Sequence, residues 1–205
     1  MFCPTLTGLG ERAHLLSREV NLTTHIQDVV ALLEVEELEN VVLCGHSYGG
    51  IVITGVAARA KARLKQLVYV DSAILAEGES LSDVLPPEAV AARRKAAEAS
   101  GGVSIPVPKA EFFGIEDPGD RAWVDRRMTP QPFGSFDQKM HWGGPIGNGV
   151  PKLYVDCIQP AFPGLAAVKN RYRGQPGWEF VEIRTGHDAM VSAPEELARI
   201  LLRLA

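Results

Sequence analysis

The stretch Val41-Val42-Leu43-Cys44-Gly45-His46-Ser47-Tyr48-Gly49-Gly50-Ile51-Val52 decides the reading of this chain. An apolar, β-branched run stops at Gly45, and a helix-like run starts at Gly49. Between them one serine stands in the frame G-x-S-x-G. That frame marks a strand that turns sharply into a helix and leaves a hydroxyl on the tip, a nucleophile elbow. The turn is expected to hold Ser47 in a strained conformation. Side chains at Gly45 and Gly49 are expected to collide with the neighbouring strand and helix, so both positions call for glycine. The helix N-terminus then favours negative charge developing beside the hydroxyl. Ser47 is the candidate nucleophile.

Bulk properties bound the rest. A chain of 205 residues forms one domain with a sizeable core. Its 46% hydrophobic and 22% charged residues are ordinary for a globular protein. The net charge of −4, with no basic block, argues against nucleic acid or an anionic membrane as partner. No apolar run reaches transmembrane length. Met1-Phe2-Cys3-Pro4 has no signal-peptide architecture, so the cytoplasm is the expected location. Three cysteines without a C-x-x-C spacing read as reduced thiols. Cys44 and Cys157, both in expected strands, read as small buried hydrophobes.

Outward from the elbow, strands and helices alternate. Met1 to Arg12 reads as a strand stub entering a loop. A helix from Thr23 or Thr24 carries Ile26, Val29, Val30 and Leu33 on one face. Gly50–Leu64 is the elbow helix, and Gln66–Asp71 is a second strand. Past the middle of the chain, Lys152–Cys157 is a strand, Pro163–Tyr172 a helix and Trp178–Arg184 a strand. The final helix carries Leu197, Ile200, Leu201 and Leu204, with Ser192 and Glu195 in capping-box spacing and Pro194 near its start. Near-continuous apolar strands alternating with helices predict a mostly parallel sheet with helices on both faces, an α/β fold. Residues 74–149 break the alternation. Proline pairs, Gly101-Gly102, a basic helix over Ala89–Ala99 and scattered aromatics read as a helical lid inserted into a single domain spanning 1–205. Most of those aromatics should fill a local core, and a few should face a ligand.

A serine hydroxyl needs a base, and that base needs an orienting carboxylate. His187, in the loop Thr185-Gly186-His187-Asp188 after the last strand, has the right place in chain order. His46 precedes the serine and is expected to point away. His14 and His25 lie upstream, and His141 lies in the lid. The acid should follow a strand, yet Ile158-Gln159-Pro160-Ala161-Phe162 offers no carboxylate. Asp71 ends the neighbouring strand at the correct edge and is the first candidate. Asp156, inside its strand, is the second, and a site with no functional acid stays open. Gly8-Leu9-Gly10 lacks the third glycine of a dinucleotide fingerprint, and no metal-ligand cluster stands out, so neither cofactor nor metal is expected.

Thr5-Leu6-Thr7-Gly8-Leu9-Gly10-Glu11-Arg12, Gly45-His46-Ser47-Tyr48-Gly49-Gly50 and Gly186-His187-Asp188-Ala189-Met190 together resemble the α/β-hydrolase superfamily. The nearest branch is the small bacterial esterases related to plant hydroxynitrile lyases and salicylate-binding methyl esterases. The resemblance runs end to end. It implies a cofactor-free serine hydrolase of small apolar or aromatic carboxylic esters, with Ser47 and His187 in their family roles and Asp71 as acid. Two rivals stand beside it: a non-catalytic small-ligand-binding homologue and a cyanohydrin-type lyase. Lyase members carry lysine directly after the histidine, where this chain has Asp188. The resemblance also implies strands, and a loop with one oxyanion donor, upstream of Met1. The expected fold therefore lacks the family's first strands, and the Tyr48 N–H is the recognisable oxyanion donor. The strand ending at Cys44 is then an exposed sheet edge, which a homodimer could cover.

Overall fold

The computed structural model describes residues 1–204. Residues 1–21 contain no strand, only turns and a 3-10 segment at Gly10–Leu15. The expected strand stub does not form; the backbone of Thr5 and Thr7 is tied instead to the side chains of Arg12, Asp28 and His25. Helix α1 (Leu22–Val35) starts on an Asn21–Thr24 capping box and buries Ile26, Val29, Val30 and Leu33, the stripe its periodicity predicts. Strand β1 (Val41–His46) runs through Ser47 into α2 (Gly49–Ala60), and β2 (Leu64–Val70) follows.

The segment that follows β2 is built of short pieces. They are α3 (Leu81–Val84), α4 (Pro87–Glu98), the two-residue strands β3 (Ser104–Ile105) and β4 (Gln131–Pro132), α5 (Pro118–Asp125) and α6 (Gly134–Asp137). Met140 and Trp142 from this segment are buried in the same cluster as α1 and α2, whereas Phe112 and Trp123 are exposed. The core pattern resumes with β5 (Lys152–Cys157), α7 (Ala166–Tyr172), β6 (Trp178–Ile183), the single turn α8 (Ala189–Ser192) and α9 (Pro194–Leu202). Ala193 caps α9 without a side-chain bond, so the Ser192–Glu195 box does not form; Ser192 instead closes α8.

The four main strands form one parallel sheet in the order β1-β2-β5-β6. Alternation along the strands sorts side chains to two faces. Leu67, Tyr69 and Tyr154 pack with Ile53 and Ala57 of α2 and with Val168 and Tyr172 of α7. Val68, Val70, Leu153, Val155 and Ile183 pack with Ala189 and Leu197 on the other face. Every residue of β5 is buried, as a central parallel strand requires. β1 lies at the edge of the sheet, and Cys44 is therefore exposed rather than buried, while Cys157 on β5 is fully buried. The carboxyl ends of β1, β2 and β6 converge on Ser47, Asp71 and His187.

Candidate active site

Ser47 has φ 52°, in the left-handed region that a non-glycine residue occupies only under constraint. The constraint comes from both sides. Its N–H donates to Val70 O at 3.2 Å, and its carbonyl accepts from the N–H groups of Gly50 and Ala73, each at 3.1 Å. A Cβ on Gly45 would run into the Gly49 carbonyl, so glycine is needed there. Gly49 itself faces open space. The second glycine that the turn requires is Gly50, where a Cβ would lie 2.5 Å from Ser72 Cβ and 2.7 Å from Ala73 O. The helix start leans on the turn after β2 at that residue, one position later than the motif frame suggests.

Tyr48 caps the N-terminus of α2 in the right-handed helical region. Its side chain points back into the protein, with the hydroxyl 2.8 Å from His25 Nδ1. His25 Nε2 lies 2.9 Å from Thr7 O. A carbonyl can only accept, so Nε2 carries the proton and Nδ1 accepts from the tyrosine. Burial pulls the His25 imidazole below its usual range, which keeps it in this neutral state.

His187 follows β6 in a loop that crosses the 113–114 backbone closely. Its N–H donates to Phe113 O at 3.0 Å, and a Cβ on Gly186 would stand 2.7 Å from Gly114 O. The imidazole is buried. Nδ1 lies 2.6 Å from Asp71 Oδ2, and Nε2 lies 2.9 Å from Ser47 Oγ. The Asp71 carboxylate accepts only, so Nδ1 is protonated and Nε2 is free to accept from the serine. Asp71 sits in the turn after β2 with φ 38°, its N–H anchored on Val155 O at 2.8 Å. Burial pushes its carboxyl up, but the hydrogen bond with His187 and the Lys169 ammonium overcome this and hold it below its ordinary value.

A second buried charge system stands behind Asp71. Lys169 Nζ, on α7, is 2.6 Å from Asp71 Oδ1 and 2.6 Å from Asp156 Oδ1. Arg173, one turn further along, pairs with Asp156 Oδ2 and reaches Glu182 at 3.4 Å. Aromatic rings enclose the imidazole. Phe162 stacks on it at 4.3 Å between centroids and Phe113 at 5.8 Å, and Phe112 meets Phe162 edge-on at 5.4 Å. The His46 ring lies 4.5 Å from that of His187, and its Nε2 donates to His187 O at 3.0 Å. His46, His187 and Asp188 bring nitrogen and oxygen atoms within 4.8 Å of one another. Those nitrogens are already committed to the hydrogen bonds just described.

The sequence profile of the alpha/beta hydrolase family matches residues 1–200. The chain belongs to the alpha/beta hydrolase family. It is 39% identical over 213 residues to a carbendazim hydrolyzing esterase of Nocardioides sp. (strain SG-4G), covering 98% of this chain and 86% of that protein. In fold it is similar to an extracellular alpha/beta-hydrolase from a Paenibacillus species that shares homology with tobacco salicylic acid binding protein 2. That likeness has a TM-score of 0.84 at 21% identity and covers 98% of this chain and 86% of the other. A methylesterase from Arabidopsis matches with a TM-score of 0.65 at 19% identity, over 97% of this chain and 83% of that one.

Within this hydrolase fold, the structure brings Ser47, His187 and Asp71 into one hydrogen-bonded line. Asp156 lies on the far side of Lys169 from Asp71 and does not touch the imidazole. Contrary to expectation, His46 does not point away from the histidine loop: at the end of an edge strand its ring folds over onto His187. Sequence reasoning missed Lys169. Its signal was there in Leu165, Val168, Lys169 and Tyr172, a buried helical stripe with one lysine in it. Phe162, just after β5, was likewise not singled out.

Proposed function

We propose that this hydrolase cleaves small apolar or aromatic carboxylic esters through an acyl-enzyme on Ser47. The observation that carries the reading is the unbroken line from Asp71 Oδ2 through His187 to Ser47 Oγ, at 2.6 and 2.9 Å, with Ser47 held at positive φ on an elbow. Kinship with a named esterase at 39% identity supports the reaction class. Ser47 Oγ attacks the ester carbonyl carbon as its proton passes to His187 Nε2, and Asp71 stabilises the resulting imidazolium. The tetrahedral oxyanion is met by the Tyr48 N–H at the start of α2, which has no acceptor among the described residues. His187 then protonates the departing alkoxide. A water molecule, deprotonated by the same nitrogen, attacks the acyl-enzyme; the ester bond to Ser47 breaks as the imidazolium returns its proton to Oγ, and the acid is released. The rings of Phe162 and Phe113 on the imidazole, with Phe112 packed against both, favour a flat or apolar ester group. No helix among the described residues is long and apolar enough to cross a membrane. Three free thiols agree with a reducing compartment, the cytoplasm.

The test is intact mass and peptide mapping after treatment with a fluorophosphonate, together with hydrolysis of p-nitrophenyl acetate by the wild type and Ser47→Ala. One adduct on Ser47 and loss of turnover in the variant are expected. Folded protein that binds small aromatic esters but shows neither adduct nor serine-dependent turnover overturns the hydrolase reading in favour of a binding role.

A further inference from the structure

The Lys169 ammonium touches Asp71 and Asp156 at the same 2.6 Å, and all three side chains are buried, with residue exposures of 7%, 0% and 4%. We propose that Lys169 is a positioning residue that sets the basicity of His187 through Asp71, with Asp156 as the counter-charge that adjusts it. The inference rests on the reading of Asp71, His187 and Ser47 as the proton-transfer line.

Asp71 must supply the charge that steadies the His187 imidazolium. A carboxylate paired only with His187 places its whole negative charge on the imidazole. A lysine in contact with its other oxygen withdraws part of that charge, since two opposite unit charges this close interact strongly in a dry interior. Were Lys169 alone with Asp71, the pair would be close to neutral and the imidazolium would gain little from it. Asp156 prevents this by sharing the ammonium. The row Asp156, Lys169, Asp71 carries one net negative charge, which the imidazolium formed during turnover balances. Arg173, about two-fifths exposed, draws on Asp156 from the solvent side. Burial pulls the lysine down, yet Asp156 and Asp71 together hold it above its usual value, so it stays charged.

The other groups around these residues cannot supply the same control. His187 faces Ser47, Asp71, the rings of Phe113 and Phe162, and His46, which burial keeps neutral. Asp188, on its own loop, engages His46 rather than the imidazole of His187, and burial raises its carboxyl. Asp71 also meets the Cys157 N–H at 3.4 Å. The Cys157 thiol is pushed up to about 12, by burial first and by Asp71 next, and the Tyr154 phenol is raised by burial, so both are uncharged. Among the described residues in contact with Asp71, Lys169 is the buried cation, whereas Arg173 meets Asp156, from the solvent side. Lys169 joins the acid to a second carboxylate on a different element, Asp156 of β5.

The test follows the His187 ring by long-range 1H–15N NMR against pH in the 205-residue chain, for the wild type, Lys169→Met and Asp156→Asn. The pH profile of kcat/KM for p-nitrophenyl acetate is measured in parallel. Removing the lysine exposes His187 to the full charge of Asp71. Its titration midpoint and the acidic limb of the profile should both move to higher pH, because the carboxylate's charge then favours the imidazolium. Removing Asp156 leaves the ammonium to Asp71 alone, and both should move down. A merely structural role lowers stability or kcat without opposite displacements. Midpoints that stay in place, or that move in the same direction in both variants, overturn the proposal. Should Lys169→Met not fold, the direction in Asp156→Asn decides alone, and no shift or an upward one overturns it. The NMR arm reads the coupling without turnover. A wild type that fails to label on Ser47 therefore counts against the hydrolase reading, and a null titration result counts against Lys169.

Discussion

Asp71 illustrates how one residue carries two constraints. It stands at positive φ after β2, an unusual conformation for aspartate, because its N–H is held by Val155 O while its two carboxylate oxygens serve different partners. Asp71→Asn would keep the size of the side chain but replace an acceptor with an amide that can present a donor to Nδ1. The imidazole would then favour the tautomer with its proton on Nε2, the wrong one for accepting from Ser47. A fall in kcat/KM of about 10³–10⁴-fold is expected, with the urea midpoint changing far less than the rate. A value within a few-fold of wild type would remove Asp71 from the proton-transfer line. At this scale the candidate site was readable where chemistry fixes spacing. The serine frame and the histidine loop are local patterns. The choice of acid came from exclusion, since the loop after β5 has no carboxylate. Lys169 escaped because a buried lysine looks like a surface one until its helix is given a face, and the stripe Leu165, Val168, Lys169, Tyr172 supplies that face.

Among the elements, α1 shows how local rules build a distant part of the site. The Asn21–Thr24 box starts it, its apolar stripe seats it against α2, and one turn in, His25 joins Tyr48 to Thr7. The same helix holds the preceding loop a second time, through Asp28, which accepts from the Thr7 N–H at 2.7 Å and from the Thr7 hydroxyl at 2.8 Å. His25 is fully buried and held neutral by burial, so folding disfavours its proton. Above its reference value of 6.5 both folded and unfolded chains carry it neutral and nothing is lost. As pH falls below that value the unfolded chain takes up a proton that the folded one resists, and stability declines. In His25→Gln, urea midpoints measured from pH 7.5 to 5 should start lower and fall less steeply than those of the wild type. Parallel slopes would mean that His25 is not the group responsible. Helices of this kind were legible because apolar spacing and caps agree. The segment between β2 and β5 was not, since its helices of four to twelve residues take their place from long-range ties such as Thr23 N–H to Gln138 Oε1 at 2.9 Å.

At the scale of the whole molecule, the parallel sheet was legible because β2 and β5 are apolar on both faces, which only a covered sheet satisfies. β1 is placed differently, at the edge of the sheet. Among the described residues it pairs only with β2, and its other edge offers unpaired N–H and C=O groups along Val41-Val42-Leu43-Cys44, with Cys44 exposed and no charged residue or proline in the strand. Edge strands of globular proteins usually carry such a charge, because an open, apolar edge is a template for another strand. For the 205-residue chain by itself we propose self-association through β1, two copies meeting edge to edge so that their sheets continue into one another. The net charge of −4 is too small to hold them apart at moderate salt. Sedimentation velocity under reducing conditions, which excludes a Cys44 disulfide between copies, should show a concentration-dependent dimer for the wild type. Cys44→Lys places a charge at the edge where a second copy would also bring one. The variant should sediment as a monomer over the same range while keeping serine-dependent turnover, because Cys44 lies outside the Ser47, His187 and Asp71 line. Identical sedimentation of the two proteins would show that the contact, if any forms, lies elsewhere.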